Sequence, residues 1–249
     1  VLVDQFSIGC SKAPLSTVVG QTHMQTRRTS EIETIAEIHQ QLDPIWPTGR
    51  RQDAVAGSGP NWVLRGTNRP VSVDELEGRF LCEIVSQTNR KNVVEIGTGF
   101  GYSAFWIALG LFRTPKSAGE VHSFDTLQEG GIGRKGHEFA QSIAEMCSFG
   151  QLMNFHIGSS REIGKNFLRP RSIDLVFIDG DHNDGQPYQD YLSLKPFLTD
   201  DAIVVWHDHD DRYSVPDDVN RVCRDGYEKL IFRSSCQMAV TVRDPRWSQ

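Results

Sequence analysis

The chain has 249 residues, 38% of them hydrophobic and 23% charged, with a formal charge of −6 at neutral pH. That length fits one large domain or a domain with an extension, and the apolar fraction can build a sizeable core. The acidic balance speaks against nucleic acid or an anionic membrane surface as partner, because binding phosphates requires concentrated Lys and Arg, and a small-molecule substrate is expected instead.

Residues 1–30 are rich in Ser, Thr and Gln without a clear period, which predicts a poorly ordered arm or an oligomer contact. Ser30 is placed to cap a helix through Gln41, with Glu31 and Glu33 in its first turn and Ile32, Ile35, Ile38 and Leu42 on one stripe. Pro44, Pro47, Pro60 and Pro70, with Gly49, Gly57, Gly59 and Gly66, make 43–70 an irregular segment of the kind that covers a ligand site. Ser72 and Glu75 have capping-box spacing and open a helix over Val73 to Gln87. The chain thus divides into an arm, helix and irregular cap over 1–71 and a main domain over 72–249.

The run NVVEIGTGFGYSAFWIALGL begins with a buried strand over Asn92 to Ile96 and continues into a helix from Tyr102 to Leu111. Gly97, Gly99 and Gly101 between them permit a sharp turn, close backbone approach to a ligand, and free amides at a helix N-terminus. A dinucleotide turn would read G-x-G-x-x-G/A, but Tyr102 stands where its third small residue belongs, so the spacing speaks against a dehydrogenase. Glu95 ends the strand with a carboxylate suited to a cationic ligand.

From residue 92 onward strands at 92–96, 120–124, 152–157, 173–178 and 202–206 alternate with helices near 102–112, 136–148, 160–167, 187–195 and 216–225. That alternation is the sign of a parallel sheet covered on both faces. Lys229 to Ser234 and Gln237 to Val242 are close enough to pair as an antiparallel edge hairpin.

The strand EVHSFDT ends at Asp125, which suits a ribose diol first, with a helix N-cap or loop carboxylate as the alternative. In FHIGSSREIG, Ser159 or Ser160 can cap the next helix, with Arg161 and Glu162 in its first turn. IDLVFIDGDH delivers Asp179, Asp181 and His182, and AIVVWHDHDD delivers His207, Asp208, His209, Asp210 and Asp211, so both clusters should open on one rim. Such a density of carboxylates and imidazoles costs repulsion and desolvation unless a cation or substrate compensates. Asp210, Asp211, Asp217 and Asp218 read as a solvated acidic rim, whereas Asp179 and Asp208 suit Mg²⁺ first, with Mn²⁺ or Ca²⁺ as alternatives. The neighbouring histidines leave Zn²⁺ or Fe²⁺ open. His182 is either a general base or a polar-loop histidine bonded to Asp181.

The glycine turn resembles motif I of the class I S-adenosylmethionine-dependent methyltransferases, and the GYS at Gly101 to Ser103 is similar to the catechol O-methyltransferase branch. The Asp after the fourth strand and the cluster after the fifth resemble the metal-dependent O-methyltransferases of catechol and macrocin type, over about residues 72 to 243. The resemblance implies an α/β fold: a Rossmann-like doubly wound seven-stranded sheet, mostly parallel with an antiparallel last strand, here with an N-terminal helical extension. It implies that Glu95, Gly97, Thr98, Gly99, Gly101, Tyr102, Ser103, Asp125, Ser159, Ser160, Arg161 and Asp179 hold S-adenosylmethionine, with Ser103 on the methionine carboxylate and Ser160 and Arg161 beside adenine. It also implies His182 and Asp179 as catalytic groups, and Asp179, His207, Asp208 and His209 around a divalent cation. The chain departs from the family at His207, where the macrocin pattern has an acidic ligand, and at His209, where catechol enzymes carry Asn. The expected activity is metal-assisted O-methylation of a small-molecule hydroxyl such as a natural product, sugar or catechol. The alternatives are a metal-independent methyltransferase, a metal-dependent hydroxylase, or a non-catalytic cofactor-binding protein.

Cys10, Cys82, Cys147, Cys223 and Cys236 are odd in number and contain no C-x-x-C, so neither a disulfide framework nor a zinc ribbon is expected. With no run of about 18 apolar residues and no export signal, the sequence reads as a cytoplasmic protein without a membrane partner, and a homodimer through the N-terminal helices is plausible. The loop Thr126 to Lys135 is rich in glycine and reads as a lid. Phe100, Trp62 and Tyr213 are candidates for an acceptor wall, while Trp106 and Trp206 read as core.

Overall fold

The structure, a computed structural model, describes residues 73–114, 119–127, 133–166, 169–234 and 236–243. The expected arm, first helix and irregular segment of 1–71, Trp62 and the centre of the glycine-rich loop lie outside the described residues.

Chain order runs α1 (Glu75–Gln87), β1 (Asn92–Ile96), α2 (Tyr102–Arg113), β2 (Glu120–Asp125), α3 (Gly133–Ala144), β3 (Met153–Ile157) and α4 (Ile163–Asn166). It continues through β4 (Ile173–Ile178), α5 (Gln186–Leu194), β5 (Leu198–Trp206), α6 (Val215–Arg224), β6 (Tyr227–Phe232) and β7 (Met238–Arg243). The sheet order is β3-β2-β1-β4-β5-β7-β6. Strands β1 to β5 pair in parallel, while β7 pairs antiparallel with both β5 and β6. The seven-stranded, mostly parallel sheet is therefore the one expected. The chain moves outward from β1 to β3 and then returns beside β1, and the crevice between β1 and β4 is where open α/β sheets bind ligands.

The central strands are apolar throughout because both faces are covered, and period-2 alternation divides their side chains between two layers. Val93, Leu175, Phe177 and Val205 join the layer under α1, α2 and α3, while Val94, Val176, Ile178 and Trp206 join the layer under α5 and α6. Trp106 and Trp206 are both core residues, as their apolar contexts suggest.

Helix α1 begins later than the Ser72–Glu75 spacing predicts. Asp74 is its N-cap, and its capping box pairs Asp74 with Glu77: the Glu77 N–H donates to Asp74 Oδ1 and the Asp74 N–H to Glu77 Oε2, each at 2.8 Å. Leu81 and Val85 of α1 are fully buried against α2, each contributing roughly 1.5–3 kcal/mol. Strand β5 begins earlier than expected, at Leu198. Its register against β4 shifts between Ile173↔Leu198 and Leu175↔Ile203, so the polar TDD stretch is carried as an irregularity that periodicity does not reveal.

Helix α2 is buried from Tyr102 to Leu111, between the sheet and α1. The helices meet where side chains are missing: a Cβ at Gly110 would lie 2.6 Å from the Cys82 carbonyl oxygen. Since that neighbour is backbone, the helices must separate to admit a methyl group. Gly110→Ala is expected to lower stability by about 1–3 kcal/mol despite its better helix propensity. A denaturant melt showing unchanged or raised stability would mean that the interface yields freely.

Candidate functional site

Strand β1 runs into Gly97 (φ +97°), Gly99 (φ +51°) and Gly101 (φ +79°), all in the left-handed region that favours glycine. At Gly97 the constraint is also steric, because a Cβ there would lie 2.1 Å from the Asp179 carbonyl oxygen at the end of β4. Asp179 N–H donates to the Ile96 carbonyl at 2.8 Å, so the exits of β1 and β4 are held together. Asp125, at the end of β2, accepts the Gly99 N–H at 3.1 Å through one oxygen and the Leu127 N–H at 2.7 Å through the other. Each oxygen keeps a lone pair, so Asp125 can fasten the glycine turn and still accept from a diol.

Several residues expected at the cofactor turn their side chains away from the cradle. Tyr102 is 1% exposed and packs edge-on to Trp106, and the Thr98 hydroxyl bonds the Ser123 hydroxyl at 2.7 Å. Backbone is what those two positions have left to offer. Glu95 is fully buried, accepts the Ser123 hydroxyl, and has one oxygen without a hydrogen-bond partner. Burial pushes its carboxyl up to about 8, against the pull of the Ser103 and Ser123 hydroxyls and with the help of the Asp179 and Asp125 charges. Ser103 is buried in the first turn of α2.

Beyond β3, the Ser159 N–H donates to Glu162 Oε2 at 2.9 Å at the start of a short 3₁₀ turn, the helix-starting role left open for this segment. The Ser160 hydroxyl is committed to buried Asp190 at 2.7 Å, and Asp190 also accepts from Gln186 Nε2 at 2.8 Å. Arg161 is exposed.

The second cluster forms where β4 and β5 end. The imidazole of His207 is 4% exposed, with Nδ1 2.9 Å from Asp179 Oδ1 and 3.4 Å from Asp208 Oδ2, yet hydrogen-bonded in good alignment to neither. Asp179, His207 and Asp208 can each bring one ligand atom within 4.8 Å of the others. A buried nitrogen without a partner, facing two carboxylates, fits a cation site. Asp208 itself has φ +52°, an uncommon conformation for a residue with a side chain. His182 Nε2 lies 3.1 Å from the same Asp208 oxygen, and its ring lies 5.2 Å from Tyr213. Its expected partner Asp181 instead accepts from the Asn183 N–H at 3.0 Å.

His209 falls outside this ligand group among the described residues, and its backbone N–H donates to the Gln237 carbonyl at 3.0 Å. Asp218 is a correction, being 2% exposed rather than solvated, with Oδ2 3.0 Å from the Ser214 hydroxyl. Ser214 in turn donates its N–H to the His182 carbonyl at 3.0 Å, anchoring the loop that carries His182.

Sequence reasoning missed Glu77. This fully buried carboxylate reaches His207 Nε2 at 3.3 Å and accepts the Ser234 hydroxyl at 2.5 Å and the Cys236 N–H at 3.2 Å. Its signal was present: Val73, Glu77, Leu81 and Val85 recur every four residues, so a carboxylate stands in an apolar stripe. Burial alone would raise its carboxyl, but the bond to His207 holds it below the ordinary range; burial likewise opposes the charged form of His207, and the carboxylates of Asp179, Asp208 and Glu77 raise it well above its usual value.

The Glu95 shift has a direction in pH. A carboxyl raised from 4.5 to about 8 keeps its proton on the folded chain while the unfolded chain loses it, so this stabilising contribution falls as pH rises through that window. Glu95→Gln is therefore expected to gain on the parent by on the order of a few kcal/mol between about pH 5 and pH 8. Melts that stay parallel across that range would show that Glu95 is ionised in the fold.

Residues 94–209 match the family described as a methyltransferase domain. Caffeoyl-CoA O-methyltransferase of Petroselinum crispum is 29% identical over 109 residues, which are 42% of this chain and 41% of that protein; the match thus spans about two fifths of the relative's length. The O-methyltransferase TomG of Streptomyces achromogenes, involved in tomaymycin synthesis and solved with SAM, superposes with a TM-score of 0.54 at 20% identity, over 70% of this chain and 82% of that one. The Bacillus cereus O-methyltransferase in complex with SAH gives 0.54 at 20% identity, over 71% and 84%. Together with the strand order, these likenesses show a Rossmann-like fold shared with methyltransferases, and the chain is similar to O-methyltransferases, caffeoyl-CoA O-methyltransferase among them.

Proposed function

We propose that this chain transfers the methyl group of S-adenosylmethionine to a hydroxyl of a small-molecule acceptor, assisted by a divalent cation. The observation that carries the reading is the meeting of Asp179, His207 and Asp208 at the ends of β4 and β5, against the turn at Gly97. In this reading the backbone of Gly97 to Gly101 and the Ser103 hydroxyl hold the methionine end, Asp125 takes the ribose, and Ser160 and Arg161 border the base. Residues 72–249 form the transferase domain.

Asp179, His207 and Asp208 would hold the cation, which when bound supplies orientation and a lowered pKa to an acceptor hydroxyl. His182 removes the hydroxyl proton. Asp208, 3.1 Å from His182 Nε2, orients the ring, and Tyr213 limits its swing. Most of the rate then comes from holding methyl donor and hydroxyl in line.

One observation favours a second reading. His207, ringed by Glu77, Asp179 and Asp208, can itself be the cation of the rim, and transfer would then need no metal. Turnover that survives EDTA favours this form, whereas loss on chelation and recovery with added dication favours the first.

Methyl transfer from labelled cofactor to catechol, sugar and natural-product alcohols tests the activity itself. With an acceptor in hand, His182→Ala is expected to lower kcat by about 10²–10⁴-fold while calorimetry finds the cofactor Kd unchanged. Undiminished kcat would remove His182 from the chemistry.

A further inference from the structure

We propose that Glu77 is a positioning residue for the rim: bonded to His207 Nε2, it turns Nδ1 toward Asp179 and Asp208, and the resulting one-nitrogen, two-oxygen set prefers a transition-metal dication such as Zn²⁺, Co²⁺ or Mn²⁺ to Mg²⁺. The inference rests on the rim being the cation site of the proposed transferase.

The argument begins at the buried side of the ring. A carboxylate only accepts, so the 3.3 Å contact between Glu77 Oε2 and His207 Nε2 requires the hydrogen on Nε2. The surrounding carboxylates favour a second proton on Nδ1, and a cation that displaces that proton meets a lone pair there. That atom is buried, faces Asp179 Oδ1 at 2.9 Å and Asp208 Oδ2 at 3.4 Å, and is hydrogen-bonded in good alignment to neither. Neighbouring ligands on bonds of about 2.1 Å stand about 3 Å apart, so these separations suit three atoms directed at a common ion. Imidazole suits Zn²⁺ and its neighbours, whereas Mg²⁺ takes oxygen ligands and keeps its water.

The opposite face of His207, where Glu77 and Cys236 also approach one another, is not a rival site. Both Glu77 oxygens are already occupied there by donors: Asp74 N–H and His207 Nε2 on one, Ser234 hydroxyl and Cys236 N–H on the other. A carboxylate filled by four donors is an anchor. It completes the arrangement in which carboxylate, histidine and metal stand in series, where the outer carboxylate sets the ring's tautomer and direction. Glu77, Ser234 and Cys236 all lie outside the 94–209 match, so the anchor belongs to flanking parts of this chain.

The test is calorimetry on the chelator-stripped full chain with Mg²⁺, Mn²⁺, Co²⁺ and Zn²⁺, with the Co²⁺ visible spectrum read alongside. Zn²⁺ or Co²⁺ should bind at least about tenfold more tightly than Mg²⁺. Glu77→Gln should weaken that binding by about 10–100-fold and alter the Co²⁺ spectrum. Ser234→Ala removes a Glu77 bond without touching His207, so it should lower Tm while metal affinity holds, which separates positioning from mere stabilisation. If Glu77→Gln fails to fold, His207→Asn reports on the donor set, because an all-oxygen site should lose the preference over Mg²⁺. Equal or tighter Mg²⁺ binding, parental metal affinity in Glu77→Gln, or no dication binding beside intact S-adenosylmethionine binding each overturns the inference. Loss of cofactor binding and methyl transfer would overturn the transferase reading instead, and the metal ranking stands apart from it.

Discussion

A side chain at position 97 would collide with the backbone of Asp179, and the geometry of the rim depends on that space staying free. With glycine there, β1 and β4 remain paired up to their last residues, and the amide of Asp179 closes onto the carbonyl of Ile96. The same tight exit brings His207, whose N–H donates to the Ile178 carbonyl, into line beside Asp179. Glycine turn and acidic cluster are thus two consequences of one backbone contact. In a parallel sheet each neighbouring strand adds its terminal residues to the same edge, so a glycine turn on β1 and charged side chains on β4 and β5 become adjacent without a dedicated loop to join them.

What the sheet brings together, the helices must make tolerable. Three carboxylates around one imidazole would be costly if any were left unpaired, since burying an isolated charge costs far more than burying an apolar group. Glu77 escapes that cost because α1 delivers it with its own cap and the β6–β7 connection supplies two further donors. Its placement follows from how α1 lies on α2. A Cβ on Gly78 would overlap Trp106, and one on Gly110 would press on the backbone of Cys82, so missing methyl groups at two places set the register of the helix that carries Glu77. Helix packing and rim electrostatics are therefore coupled, and a substitution that spreads the helices also withdraws a partner from His207.

The strand, glycine turn and helix were legible in the sequence because each obeys a local rule: apolar runs for doubly covered strands, small residues where the backbone reverses, helical spacing afterwards. The meeting of Asp179, Asp208 and His182 on one rim was legible because strand ends in a parallel sheet share an edge. Other features depended on tertiary partners that no local pattern names. Ser72, outside the described residues, and Glu75 have capping-box spacing, but Asp74 and Glu77 have the same spacing two residues on and form the box. Thr98 and Tyr102 occupy cofactor-motif positions, but Ser123 and Trp106 claim their side chains. His209 follows Asp208 directly, yet it is not among the groups that gather at the rim, and its backbone N–H is bonded to Gln237.

The two nitrogens of His207 give the site its rigidity. Nε2 belongs to the core, where Glu77 fixes it before any ligand arrives, and Nδ1 belongs to the rim, where a ligand or proton must be met. A histidine held on neither side would lose rotamer entropy on binding. Held from behind by a carboxylate with four donors, the ring is already aimed, and Asp179 is aimed by the sheet backbone on which it ends. His182 is less constrained: it is partly exposed and fastened through its backbone carbonyl and through Asp208. That division would suit the acid–base step proposed for His182, with a fixed electrostatic frame beside a group open to solvent.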